Sequence, residues 1–75
     1  MLEIDAAVLG QIYALLGLKF MAQLCSTEQP GASVYISAEY RDRLKRLLIL
    51  SQLGEDTEHF FVTELDAAEE VDDAA

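Results

Sequence analysis

The chain has 75 residues, 52% of them hydrophobic, and a net charge of −9 from 14 acids and 5 bases. That length admits one domain at most, and a domain so small hides only about 60% of its unfolded surface. The charge argues against a general nucleic-acid binder, because phosphate is repelled.

More than half the chain is apolar, which is more than one small globule can bury, so the surplus is expected to lie against a second copy or a partner. The single cysteine, Cys25, cannot close an internal disulfide. Glu3 and Asp5 stand where a secretory signal needs positive charge, so a reduced, cytoplasmic protein is expected.

Residues 3–25 read as one long helix, rich in Leu, Ala, Met, Gln and Lys and free of proline. On that helix Ala7, Gly10, Ala14 and Gly17 fall on one narrow stripe of small side chains, fit for a closely approaching second helix and for self-association. The approaching helix is the second one of this chain or the first of another copy. Residues 6–25 are also about long enough to span a bilayer. Lys19 would cost roughly 2.5–3.5 kcal/mol near the centre of such a span, and Gln11 and Gln23 add to it, so a single-span membrane protein is the less favoured alternative.

Residues 26–36 form a connection around Pro30-Gly31, a strong turn signal. Ser37 is a good N-cap for a second helix over 38–53, with Tyr40, Leu44, Leu47, Leu48 and Ser51 repeating at helical spacing on its buried face. After Gly54 a third, acidic helix is predicted over 57–70, with Asp56 as its cap and Phe61, Leu65 and Ala68 on one face. The tail, 71–75, is expected to fray. The predicted fold is therefore all-α: a single helical domain over 1–70, built as a hairpin plus a third helix. The alternative is α+β, since Val34, Tyr35 and Ile36 favour strands, with short strands at 33–36 and 60–63 pairing with each other.

Charge is sorted along the chain. Four of the five bases, Arg41, Arg43, Lys45 and Arg46, fall in one run, and after Gly54 there are only acids. Arg41, Arg43 and Arg46, with Tyr35 or Tyr40 as stacking faces, make a candidate site for a small nucleotide-like anion. The plainer interpretation is that these bases offset the acidic segment. Glu55, Asp56, Glu58, Glu64, Asp66, Glu69 and Glu70 make a candidate negative surface for a basic site on a protein partner. Carboxylates on a rigid helix can imitate phosphates, as an inhibitor of nucleic-acid machinery, viral anti-defence proteins included, would require. Solubility alone explains many acidic segments.

No catalytic set is recognisable. His59 has no nucleophile arranged beside it, and with Glu55 it offers two corners of a metal site without a third. No cofactor or metal is expected. The sequence thus points to a non-enzymatic acidic interaction protein that self-associates and occupies a basic site on a partner.

Overall fold

Leu2-Glu3-Ile4-Asp5 alternates apolar and polar side chains, the period of a strand with one face buried. In the structure, a computed structural model describing residues 1–71, these four residues form strand β1 (Leu2–Asp5), with Leu2 and Ile4 buried and Asp5 exposed. The expected helix over 3–25 is therefore corrected to a strand and two helices, α1 (Ala6–Leu15) and α2 (Lys19–Ser26).

Two local devices make these breaks. Asp5 has extended backbone and caps α1, its carboxylate accepting from the Ala7 N–H at 2.9 Å. At the other end Gly17 takes φ +78°, a left-handed conformation that costs glycine little. There the Gly17 N–H donates to the Ala14 carbonyl at 3.1 Å and the Leu18 N–H to the Tyr13 carbonyl at 2.9 Å. This paired 5→2 and 6→1 bonding is the Schellman terminator, so the second glycine of the small-residue stripe ends the helix instead of lining it.

Strand β2 (Ser33–Ile36) occurs where the α+β alternative places one, but its partner differs. Residues 60–63 are helical, and β2 pairs antiparallel with β1, Leu2 opposite Ile36 and Asp5 opposite Ser33. Helix α3 (Ala38–Leu50) begins at Ser37, whose hydroxyl accepts from the Tyr40 N–H at 3.0 Å. It stops short of the expected residue 53 because Gln52 turns left-handed, with φ +54°. Leu44 and Leu48 are buried on α3, whereas Leu47 is exposed.

Helix α4 (Glu55–Asp66) starts and ends earlier than predicted. Gly54 precedes it as the N-cap, and Asp56 lies in the first turn, where the helix dipole favours an acid. Glu69 and Glu70 are strand β3, not helix, and pair antiparallel with β1, completing a three-stranded sheet of order β2-β1-β3. Val71, assigned to the tail by sequence, donates its N–H to the Met1 carbonyl at 2.9 Å. The rest of that tail, 72–75, lies outside the described residues.

Helices dominate the fold, with a small antiparallel sheet beside them. The core runs from Leu2 and Ile4 through Leu9, Ile12, Tyr13 and Ile36 to Leu44, Leu48, Phe61 and Leu65. Every element longer than two residues contributes a buried side chain except α2, which contributes none.

Candidate functional site

Helix α2 is the anomaly of the molecule. It folds back on α1 through the Gly17 turn, and only Ala22 and Cys25 are half-buried; its other residues are exposed. Gly10 makes that approach close. A Cβ placed there would lie 3.1 Å from the Cys25 Cβ and 3.7 Å from the Ala22 carbonyl oxygen. The helix that meets Gly10 is thus α2, the far half of the expected first helix, in the place that sequence reasoning gave to the helix over 38–53 or to another copy. Ala7, Gly10 and Ala14 line one wall of an open groove of about 480 Å³ between the two helices, with Ala22 and Cys25 opposite, and Gly17 lies in the turn beyond α1.

The outer side of α2 is greasy and bare. At about 100° per residue, Phe20, Leu24 and Met21 form a continuous stripe. Phe20 is 70% exposed, and Leu24, Met21, Leu18 and Leu15 are each exposed by a third or more. Met21 and Leu24 adjoin β2, sharing a concavity of about 200 Å³ with Val34, Leu9 and Tyr13. A second exposed set, Leu47, Ile49, Leu50 and Phe60, lies on α3 and α4.

The basic run is divided by the helix that carries it. Arg41 and Lys45 lie on one flank of the buried Leu44–Leu48 line, whereas Arg43 lies on the other and Arg46 opposite it. Arg41 Nε donates to Asp42 Oδ1 at 3.0 Å, and Lys45 Nζ to Asp66 Oδ1 at 2.7 Å. Arg43 and Arg46 have no ion pair among the described residues. Tyr40 turns inward, its hydroxyl 2.6 Å from that of Tyr13, while Tyr35 stands on the outer face of the sheet. Arg41, Arg43, Arg46, Tyr35 and Tyr40 therefore do not converge, and none of them lines any of the four main concavities.

The acids form two groups. Glu55, Asp56 and Glu58 line a concavity of about 490 Å³ with His59, at the start of α4. Glu64 and Glu69 join Glu3 and Asp5 around another of about 340 Å³. Glu70 is exposed on β3, and Asp66 is taken up by Lys45. Along α4 the carboxylates do not make one row, since Glu55, Glu58 and Asp66 fall on one flank of the Phe61–Leu65 line and Glu64 on the other.

Two titratable side chains are perturbed. Burial first, then the hydrogen bond to Tyr40, pushes the Tyr13 phenol well above its ordinary value. Burial and then the Glu28 carboxylate push the Cys25 thiol up, away from its reactive thiolate form. No group of three or more His, Cys, Asp or Glu among the described residues is placed to hold a metal ion. No described helix is long and apolar enough to cross a membrane.

Sequence reasoning missed Phe20 and Leu24 as surface residues because it absorbed them into one long buried helix. Glu3 and Asp5 were missed as members of the acidic group, although their alternation with Leu2 and Ile4 carried the signal. Comparison with protein-family models, curated protein sequences and solved structures finds no match to this chain.

Proposed function

We propose that this chain is a non-enzymatic interaction protein that self-associates through the outer face of α2 and presents its carboxylates to a protein partner with a basic surface. The observation that carries the reading is that α2 has no buried residue while Phe20, Met21 and Leu24 are exposed. With Leu15 and Leu18 these side chains expose on the order of 400 Å² of apolar surface, near the apolar part of a standard interface at about 800 Å² per partner. Left in water, that area forfeits roughly 25 cal/mol per Å² of transfer free energy.

The acidic half of the reading is supported by net charge and by the convergence of Glu3, Asp5, Glu64 and Glu69 from three elements on one concavity. None of the four concavities described above is lined by Arg41, Arg43 or Arg46.

The test is size-exclusion chromatography with light scattering on the wild type and on a Phe20→Glu, Leu24→Glu double variant. The wild type is expected to run as an assembly and the variant as a single chain with unchanged circular dichroism. A variant that folds and still assembles removes α2 from the account. For the acidic half, glutamine at Glu3, Glu64 and Glu69 is expected to abolish capture by an immobilised arginine-rich peptide at 0.15 M salt. Glutamine at Glu55, Asp56 and Glu58, which removes the same charge, is expected to preserve it; equal loss in both variants would reduce the contact to net charge.

A further inference from the structure

The two edges of the sheet are built differently. The β3 edge is two residues long and both are glutamate, a charge that deters strand pairing. The β2 edge is Ser33-Val34-Tyr35-Ile36, with no charge and no proline. Charged residues and proline are two of the devices that blunt natural edge strands, and β2 carries neither, so its edge is open to pairing.

The backbone direction of β2 follows from one bond. The Ala6 N–H donates to the Ala32 carbonyl at 2.9 Å, in the same register as the β1–β2 ladder. Antiparallel ladders alternate bonded and non-bonded pairs, so Val34 and Ile36 turn their backbone groups toward β1 as the Ala32 carbonyl does (the Ala32 N–H donates to the Gln29 carbonyl), and Ser33 and Tyr35 turn theirs outward. Among the described residues no backbone bond takes up those outward groups.

We propose that a second copy of this chain completes the sheet at this edge: β2 pairs antiparallel with β2 of the second copy about a two-fold axis, and the two α2 helices meet across it. The proposal rests on the self-association argued above and specifies its geometry. Helix α2 flanks the same edge, since Met21 and Leu24 adjoin Val34 on the buried side of the sheet. A two-fold at β2 therefore buries both features at once, and it is isologous, as the commonest homodimers are.

Register is restricted by the pleat. Ser33 and Tyr35 point to the outer face and Val34 and Ile36 to the inner one, so only registers that set a residue opposite its own counterpart keep the faces aligned, and those centred on Val34 or Tyr35 overlap most of the strand.

Charge selects the same surface. Residues 6–38 carry only Lys19 and Glu28 as charged side chains, so two chains of net charge −9 meet there with least repulsion. Glu69 and Glu70 lie beyond β1, on the far edge of the sheet.

The test is residue-resolved amide hydrogen exchange over a dilution series of the wild-type protein, with light scattering on the same samples. Val34 and Ile36 are expected to be protected at every concentration. Ser33 and Tyr35 are expected to exchange roughly tenfold or more slowly in the assembled sample than in the dilute one. Freely exchanging Ser33 and Tyr35 in an assembled sample would overturn the strand pairing and leave self-association standing. A single chain at all concentrations would overturn both and assign the edge to something other than a second copy. As a second arm, Tyr35→Pro removes an outward N–H without touching the β1 ladder and is expected to give a folded single chain. Folded Tyr35→Pro that still assembles contradicts the proposal; if the variant does not fold, the wild-type exchange pattern decides.

Discussion

Tyr13 is 4% exposed, and its hydroxyl has one partner, that of Tyr40 at 2.6 Å. A buried hydroxyl left without a partner costs about 1–3 kcal/mol, so Tyr40→Phe is expected to lower stability by that amount in urea unfolding. The same pair sets an alkaline limit. Because Tyr13 is raised in the folded state, the unfolded chain gives up this proton first. The stability Tyr13 contributes is thus complete below about pH 10, its ordinary value, and drains away as pH rises further toward the folded value. Tyr13→Phe is expected to flatten the fall in melting temperature above pH 10; an unchanged slope would locate the alkaline sensitivity elsewhere. At Gln52 the backbone holds φ +54°, which is costly for a side chain and natural for glycine. Gln52→Gly is expected to raise stability by about 0.5 kcal/mol, measured as a higher urea midpoint with unchanged slope.

Among the elements, α3 was the most legible, because the Ser37 cap and the Leu44–Leu48 spacing agree with each other and with the packing. The N-terminal segment was the least legible. Its composition favours helix almost throughout, and two residues decide against continuity: Asp5 as a cap and Gly17 as a terminator. Both were visible, but each also fits the interior of a long helix with a small-residue stripe. Gly17→Ala is expected to cost about 1 kcal/mol or more, since alanine cannot hold the left-handed turn cheaply. A gain in helical circular dichroism with it would mean α1 and α2 had fused. At 60–63 the helix expected over 57–70 prevails over the alternative strand because Phe61 packs into the core together with Leu65 at helical spacing, and burial overrides the strand preference of aromatic residues. In the sheet, Glu3 stands directly opposite Glu69, a like-charge pair that destabilises the β3 attachment. Glu69→Lys is expected to stabilise the protein by roughly 0.2–1 kcal/mol, and the gain should shrink at high salt.

At the scale of the whole molecule, the surplus of apolar residues was readable from composition, but its location was not. Location depends on which helix the core leaves out, and that follows from long-range packing of α1 against α4 and the sheet rather than from the periodicity of α2 itself. The charge sorting was readable too, and the fold reworks it. Lys45 answers Asp66, Arg41 answers Asp42, and the N-terminal Glu3 and Asp5 join the C-terminal acids. What results is a chain with one nearly uncharged stretch, residues 6–38, and acids gathered outside it. Self-association is tested by the mass of the wild-type protein in light scattering, followed from high to low micromolar concentration. A mass of two chains or a multiple of it, falling toward one chain on dilution, is the predicted result. A constant single-chain mass at every concentration, with Phe20 and Leu24 still exposed to solvent, would contradict it.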